Sequence, residues 1–358
     1  MKYEYWFANV KGINSHRKLE IRKEFPNLEM LYNIEETALK KHNIQENEYK
    51  IILDSIRNWQ LEKEYQKLTQ KGARCITMLD AKYPTRLKEI TGAPYALYVK
   101  GRLPREDCPT VAIVGARECS PYGACMAREF AKTLATAGVQ IISGMARGVD
   151  SAGQQGALEV GGKSFGVLGC GVDICYPRDK IHLYMELQEQ GGVISEFPMG
   201  AAPLRQHFPA RNRIISGLSD VVLVMEAKEK SGSLITVDMA LEQGKEVYAL
   251  PGPINSLLSQ GCNELIGQGA GILLSPEKLL EELGIFNKNQ LQKEKQKKLL
   301  LETKENMVYS CLGFHPQNLE TLFRMTRLPV TELLDVLVEL EMRGLIREIS
   351  KNYYVKVK

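Results

Sequence analysis

Basic side chains recur in and beside the short turns between residues 115 and 213, at positions where apolar runs end. Arginine binds phosphate oxygens through paired hydrogen bonds, and lysine adds a compact positive charge. Three aromatic residues, Tyr122, Tyr176 and Phe208, stand among these cations. Rings interleaved with cations suit single-stranded nucleic acid, whose bases stack on them. The pattern therefore predicts an anion site, and its candidate residues are Arg117, Arg147, Arg178, Lys180, Arg205, Arg211 and Arg213.

Small residues at the starts of predicted helices strengthen this prediction. In Ser120-Pro121, a good capping residue precedes a proline at the first helical position. Unpaired N–H groups at a helix start attract anions, and small residues let a phosphate approach closely. We therefore expect Ser120, Ser143 and Gly144 to join the cations in one site, and the turn at 231–233 is of the same kind.

Each candidate also has a structural interpretation. A single arginine in such a turn is more often solvated or paired with an acid, here Asp150, Asp173 or Asp179. Glu196 and Glu226 also lie near predicted strand ends, where capping is a more common use of a carboxylate than catalysis. The number of cations in these turns nevertheless favours an anion site.

The elements that must position these residues follow from a repeated pattern. Apolar runs such as Val111–Val114, Val139–Ile142 and Val221–Val224 each lead into a turn and then into a helical pattern, for example from Pro121 to about Ala137. Continuous apolar runs that alternate with helices indicate a buried parallel sheet. The predicted fold is therefore α/β, Rossmann-like and doubly wound, with a mainly parallel sheet. Ligands bind such folds where the strands end, so residues far apart in the sequence would converge there.

Length and composition divide the chain into domains. At 358 residues, with 44% hydrophobic and 25% charged residues, the chain is a globular protein too long for one ordinary core. We expect a helical domain over residues 1–70, of the SAM or helix-hairpin-helix type, that includes one long amphipathic segment at 44–68. The α/β core with its strand connector covers 71–285, a charged linker covers 286–305, and a third domain covers 306–358.

The third domain has the pattern of a winged helix, three helices followed by a hairpin. This module often binds DNA through its third helix. Here the third helix, residues 330–344, carries four acids against one base, and phosphate would be repelled. We interpret the domain as a protein-contact or packing unit. The charged residues are Glu332, Asp335, Glu339, Glu341 and Arg343.

Several classes of protein lack support in the sequence. The first thirty residues contain no apolar core of a signal peptide, and no run has the length of a membrane span. The eight cysteines form no zinc-binding spacing, which predicts reduced thiols, a cytoplasmic location and no metal. Gly162-Lys163-Ser164 is not a P-loop, because Ala157 occupies the place of its first glycine. No GxGxxG follows the first strand, so no dinucleotide cofactor is expected.

The turns of the core resemble those of the DNA-processing protein A (DprA/Smf) family, in order and over nearly the whole core. The match is highly specific there, whereas the terminal domains match in type alone. The stretches that carry the resemblance are Gly115-Ala116-Arg117, Ser143-Gly144, Gly148-Val149-Asp150-Ser151-Ala152, Gly171-Val172-Asp173, Tyr176-Pro177, Phe208-Pro209-Ala210-Arg211-Asn212-Arg213, Ser231-Gly232-Ser233 and Pro251-Gly252-Pro253.

The resemblance implies a cytoplasmic single-stranded-DNA-binding protein without enzymatic activity. Such proteins form homodimers, protect incoming strands during natural transformation and load the RecA recombinase onto them. Carried onto this chain, Arg117 and Arg178 bind phosphate, and Arg205 and Phe208 supply a cation and a stacking ring. The family's dimer and RecA contacts fall around residues 235–272.

This chain departs from the family at three positions. Met145 stands where glycine is usual and would narrow the anion pocket. Gln154 stands where histidine is common, and Lys180 replaces an asparagine and would strengthen the site.

Two other functions compete with this interpretation. Related folds include phosphoribohydrolases that cleave nucleotide monophosphates and carry a PGGxGTxxE signature. The comparable stretch here is Lys230–Thr236, and Met239 stands in place of the signature's glutamate. A purely structural scaffold for partner proteins is the third possibility, but it leaves the clustered arginines without a role.

Overall fold

The structure is a computed structural model that describes residues 1–35, 42, 44–285, 303–312, 317–350 and 352–357. It contains two compact units, residues 1–286 and 287–358. Most of the predicted linker, residues 286–302, lies outside the described residues. No helix in the described ranges has both the length and the apolar character that a membrane crossing requires.

A nine-stranded sheet forms the centre of the first unit and confirms the predicted fold class. Its order is β1-β2-β6-β5-β4-β3-β7-β8-β9. The strands from β6 to β9 are parallel, whereas β2 runs antiparallel to β6 and β1 runs antiparallel to β2. The strands are β1 (Ala73–Thr77), β2 (Ala96–Gly101), β3 (Thr110–Val114), β4 (Gln140–Ser143), β5 (Ser164–Val167), β6 (Gly192–Ser195), β7 (Val221–Val224), β8 (Glu246–Ala249) and β9 (Gly271–Ile272).

Helices cover both faces of the sheet, as the continuous apolar runs require. The helices of this unit are α1 (Lys2–Asn9), α2 (Ser15–Glu24), α3 (Leu28–Tyr32), α4 (Glu46–Asn58), α5 (Leu61–Gln70), α6 (Thr85–Lys88), α7 (Pro121–Thr136), α8 (Val149–Glu159), α9 (Ile181–Gln190), α10 (His207–Leu218), α11 (Leu234–Glu242), α12 (Gln260–Gly267) and α13 (Pro276–Glu282).

The central strand β3 shows how the sheet is packed. All five of its residues are buried. Val111 and Ile113 belong to the cluster formed with α7, which includes Phe130. The alternate residues Ala112 and Val114 belong to the cluster on the other face, formed with α10 and α11. Side chains that alternate between two apolar clusters fix the register of the strand, because a shift by one residue would exchange its two faces.

The N-terminal helices pack against the sheet unit through an aromatic core. Trp6 and Phe7 are fully buried, and the indole N–H of Trp6 donates to Ser55 Oγ at 3.0 Å. The expectation of one long helical segment at 44–68 is wrong, since α4 ends at Asn58 and α5 starts at Leu61. Trp59 at the break is extended and its carbonyl accepts a hydrogen bond from the hydroxyl of Tyr32. The chain therefore turns where this indole enters the aromatic cluster.

The second unit is a winged helix with its own core. It consists of three helices and a small sheet of order β10-β12-β11, whose strand β10 lies between the first and second helix. The buried core includes Val308, Leu333, Leu337 and Ile346. Its elements are α14 (Thr303–Cys311), β10 (Gln317–Asn318), α15 (Leu319–Thr326), α16 (Val330–Met342), β11 (Ile346–Ser350) and β12 (Tyr353–Lys356).

Candidate nucleic-acid interface

A cleft of about 770 Å³ opens at the carboxyl ends of the parallel strands. Its walls come from the segments that follow β3, β4, β5, β6 and β7. From β3 the chain first winds toward β6 and then returns to place β7 on the other side of β3. The cleft therefore lies at the topological switch point, where doubly wound folds bind their ligands.

Positive charge dominates the lining of this cleft. Five cations and two acids, Glu118 and Asp150, line it. Four of the cations are exposed, and none of the four forms an ion pair with a carboxylate of the described residues. Charges without internal partners remain available to an anionic ligand. The five cations are Arg117, Arg205, Arg211, Lys228 and Lys230.

Arg117 and two aromatic rings contact one another around Phe208 at the cleft wall. The Arg117 guanidinium lies over the Phe208 ring, 5.6 Å from its centroid. The Tyr176 ring lies 5.4 Å from that of Phe208 at an angle of 40° and is 42% exposed. Gly169 lies beneath Phe208, where an added Cβ would stand 2.9 Å from the ring carbon Cδ1. Because Gly169 has no side chain, the Phe208 ring can lie beside Arg117. This arrangement offers a ring on which a base can stack and a cation that can contact a phosphate.

Arg211 lines the cleft but is held by the protein itself. It is 4% exposed, and its Nη1 donates to the carbonyl oxygens of Gly144 and Val167. Asp150, also buried, accepts from the N–H groups of Gly144 and Ala146 at 3.1 and 3.3 Å. Burial lowers the pKa of Arg211 to about 10 and raises the pKa of Asp150, while each opposes the shift of the other. This pair joins the ends of β4 and β5 and so positions the loops of the site.

The expected free amides at Ser120 and Gly144 are not available, which corrects the sequence prediction. The N–H of Ser120 donates to Glu226 Oε2 at 2.8 Å, and its hydroxyl binds the other oxygen of the same carboxylate. The N–H of Gly144 is taken by Asp150. Ser143 is fully buried, and its hydroxyl donates to the carbonyl of Ile113 at 2.6 Å. Internal carboxylates and carbonyls therefore already accept hydrogen bonds from the N–H and hydroxyl groups of these three residues that an anion would need. The three residues stabilise the ends of the strands instead.

The start of α11 presents backbone amides to the cleft. Ser233 precedes α11 and makes no side-chain cap bond. Among the described residues, the N–H groups of Gly232 and Ile235 have no acceptor. Both residues line the cleft beside Lys230. This helix start therefore presents unpaired N–H groups and a cation to the same space.

Four of the predicted cations do not line the cleft. Arg147 pairs with Asp179 at 2.8 Å, as the alternative interpretation of such arginines expects. Arg213 pairs with Glu196 and donates to the carbonyl of Gly92 at 2.9 Å, so it braces α10 against the chain before β2. Arg178 is exposed in a short 3-10 helix, and Lys180 at its end is half-buried. Of the seven predicted cations, Arg117, Arg205 and Arg211 therefore line the cleft, and these four do not.

The sequence pattern does not single out Lys228 and Lys230, although a local signal exists. Both follow β7 within six residues, and β7 borders β3 at the switch point. The sequence shows them next to Glu229, an alternation typical of a solvated loop. Only the strand order places them opposite Arg117.

The departures at Met145 and Gln154 affect the core. Met145 adopts a left-handed backbone with φ 54° and is fully buried in the apolar cluster that includes Leu187. The expectation that it narrows the anion pocket is wrong, because its side chain fills the interior. Its backbone conformation explains why glycine suits this position. Gln154 is also fully buried and donates to the carbonyl of Phe165 at 2.9 Å.

The fold and the cleft together define a Rossmann-like α/β protein with a basic cleft at its switch point and an attached winged helix. Two family models match this chain, DNA recombination-mediator protein A over residues 74–284 and the DprA winged helix domain over residues 292–350. The chain belongs to the DNA recombination-mediator protein A (DprA/Smf) family.

Individual relatives extend this relationship. Protein Smf of Escherichia coli is 42% identical over 279 residues, which cover 76% of this chain and 74% of Smf. The X-ray structure of DNA processing protein A from Streptococcus pneumoniae matches with a TM-score of 0.66 and 34% identity, over 79% of this chain and 98% of that one. A structure of the Helicobacter pylori protein, described by its single-stranded DNA binding mode, matches with a TM-score of 0.54 and 30% identity, over 59% and 95%.

Proposed function

We propose that this protein binds single-stranded DNA in the basic cleft. The observation that carries the proposal is that the guanidinium of Arg117, which forms no ion pair with the described residues, lies over Phe208, whose ring also contacts the exposed ring of Tyr176. A flexible single strand can place phosphates on the cations and bases on the rings, whereas a duplex keeps its bases stacked inside. The single-stranded DNA binding of the Helicobacter pylori relative supports the same ligand.

Binding to the cleft should depend steeply on salt. Each phosphate that the protein neutralises releases counterions, so the slope of log affinity against log salt is about −0.7 per contact for single strands. We expect Arg117→Ala to weaken binding of a fluorescent oligo-dT by roughly tenfold, the equivalent of about 1.4 kcal/mol, and to make the slope shallower by about 0.7. The measurement is fluorescence anisotropy over a series of salt concentrations.

Arg128→Ala is the matched control for this experiment. Arg128 is an exposed arginine of α7 that pairs with Glu159 and does not line the cleft. Its removal should leave both the affinity and the slope unchanged. Equal affinities of the Arg117→Ala variant and the unaltered protein would remove Arg117 from the interface, and preference for duplex over single strand would refute the proposed ligand.

The proposed biological role is that of a cytoplasmic protein of natural transformation. It would protect incoming single strands, load the RecA recombinase onto them and act as a homodimer, with both protein contacts within residues 235–272. Support comes from membership in the family and from relatives named DNA processing protein. The test is whether RecA assembles faster on coated single strands in the presence of this protein, and whether nuclease digestion of the strand slows.

We further propose that the protein has no enzymatic activity. Of the two acids that line the cleft, Asp150 is occupied by two backbone N–H groups, and Met239 stands where the phosphoribohydrolase signature has glutamate. Incubation with AMP should therefore release no adenine. Turnover above that of a buffer control would favour the enzyme instead.

A further inference from the structure

The third helix of the winged-helix unit is apolar on two sides. Eight of the 13 residues of α16 are apolar. Four of these apolar residues face inward and pack in the core of the unit, which holds the helix in place. These buried residues are Leu333, Val336, Leu337 and Leu340.

The other four apolar residues form an exposed stripe. They recur at every fourth position, so they lie along one face of the helix. A helix that is apolar on all sides is normally buried, and a contiguous exposed apolar surface marks an interaction site. We call these residues the α16 stripe, namely Val330, Leu334, Val338 and Met342, which are 46%, 36%, 56% and 84% exposed.

Acidic residues accompany the α16 stripe. Asp335 and Glu339 are exposed one position after Leu334 and Val338. Asp335 forms no ion pair with the described residues, whereas Glu339 pairs with Arg343 at 2.7 Å. A groove of about 520 Å³ runs along this edge, lined by acidic, apolar and basic side chains. The groove residues are Asp335, Val338, Glu339, Met342 and Arg343.

These charges decide what the stripe fits. A phosphate backbone would be repelled by the acids, although α16 occupies the position of the DNA-reading helix in this fold. A second copy of α16 laid antiparallel would bring Asp335 and Glu339 against the same acids of its partner, and juxtaposed like charges disfavour such a complex. An apolar helix face with lysine or arginine along its edge avoids both kinds of repulsion. Its apolar side chains cover the stripe, and its basic side chains complement Asp335 and Glu339.

We propose that the α16 stripe docks an amphipathic helix of a partner protein, with its apolar face on the stripe and basic side chains beside Asp335 and Glu339. Peptides that bind in this way lay anchors three or four residues apart into an apolar groove. The proposal concerns the winged-helix unit and is independent of the nucleic-acid cleft. It gives the unit a binding role that does not involve DNA.

A designed peptide pair tests the chemistry of this site on the full-length chain. One helical peptide carries leucine at every fourth position with lysine alongside, and its matched partner carries glutamate in place of each lysine. Fluorescence anisotropy should show saturable binding of the lysine peptide and at least tenfold weaker binding of the glutamate peptide. Equal binding of the two would overturn the proposal, because it would show adhesion without charge recognition.

Substitutions locate the binding. Val338→Lys should lower the affinity for the lysine peptide at least tenfold. Met325→Lys, at a residue of α15 that is 54% exposed, should leave that affinity unchanged. Asp335→Lys should lower the affinity for the lysine peptide and raise the affinity for the glutamate peptide. The Val338→Lys and Asp335→Lys variants should both keep the thermal unfolding midpoint of the unaltered chain. The proposed docking site would be overturned if neither Val338→Lys nor Asp335→Lys changed the affinity for the peptides, or if either variant lost DNA binding.

A cross-linking experiment identifies the natural occupant. A photoreactive benzoylphenylalanine at position 338 of the full chain, irradiated in cells, should cross-link to a segment with an apolar face and a basic edge. That segment, synthesised as a peptide, must bind the purified chain and lose at least tenfold in affinity with Val338→Lys. Cross-links confined to nucleic acid, to a second copy or to residues 1–286 of the same chain would refute the proposed partner.

Discussion

Ser120 and Glu226 are joined by two hydrogen bonds at the start of α7, one from the backbone N–H at 2.8 Å and one from the serine hydroxyl. The carboxylate is 3% exposed and lies so close to Gly123 that an added Cβ there would stand 2.4 Å from its Cδ. A helix start is a favourable place for an anion. In this protein an internal carboxylate binds Ser120 at the start of α7, whereas the N–H groups of Gly232 and Ile235 at the start of α11 have no acceptor among the described residues.

Glu226→Gln should destabilise the first unit. An amide side chain keeps the shape of the carboxylate but loses the charge-assisted bonds and presents an N–H group toward another donor. We expect a loss of about 1–3 kcal/mol in the free energy of unfolding, measured by urea titration. Glu229→Gln, at an exposed residue three positions later, should change that energy by less than about 0.5 kcal/mol. Equal stability of the two variants would show that the Ser120 bonds contribute nothing.

Phe208→Leu separates stacking from charge in the cleft. The ring contacts both Arg117 and Tyr176, and base stacking on an aromatic side chain contributes about 1–3 kcal/mol. We expect the affinity for oligo-dT to fall by about tenfold or more, while the salt slope stays that of the unaltered protein because no cation is removed. Phe323→Leu, at an exposed ring of α15, is the control and should bind normally. A shallower slope for Phe208→Leu would mean that the ring acts by positioning Arg117.

Arg211→Met should be more costly for stability than a surface arginine substitution. It would leave Asp150 buried without the positive charge that opposes its raised pKa, and it would leave the carbonyl oxygens of Gly144 and Val167 without this donor, where each buried group left unsatisfied costs about 1–3 kcal/mol. The Asp150→Asn change in the same background should recover part of that loss. A double-mutant cycle by urea unfolding measures the coupling, which we expect to exceed about 0.5 kcal/mol. Strict additivity of the two substitutions would show that the pair does not act as a unit.

Local patterns predicted the sheet but not the partners of polar groups. Val111–Val114 and the other apolar runs carry their own signal, because burial on both faces requires continuous apolar sequence. Whether a cation is free or paired depends on contacts across the fold. Arg213 and Arg117 look equivalent in the sequence, yet the strand order puts Glu196 beside Arg213 and leaves Arg117 in the cleft. The same limit applies to Glu226: its place near a strand end predicts a capping role, but the sequence does not identify Ser120 as its partner.

A buried lysine between the N-terminal helices and β2 predicts an unusual pH dependence. Lys18 is 6% exposed, donates to the carbonyl of Ala8 at 2.7 Å and lies over the rings of Phe7 and Tyr95, 5.9 and 5.6 Å from their centroids. Burial lowers its pKa from 10.5 to about 8, against a small opposing effect of Cys75. Between these two pKa values the unfolded chain holds the proton more tightly than the folded chain. The contribution of Lys18 to stability therefore rises as pH increases from about 8 to 10.5 and is smallest below pH 8.

Comparison with Lys18→Met isolates this contribution from other titrations. Burial raises the pKa of the Cys75 thiol to about 12, so its contribution is lost as pH rises above 9 and acts in the opposite direction. The free energy of unfolding, measured in urea at pH 7.5 and 9.5, should show that Lys18→Met is more stabilising, or less destabilising, at pH 7.5 than at pH 9.5. The difference should be on the order of 1–2 kcal/mol, since one pKa unit corresponds to about 1.4 kcal/mol. A difference between the two proteins that does not change with pH would mean that Lys18 titrates alike in the folded and unfolded chain.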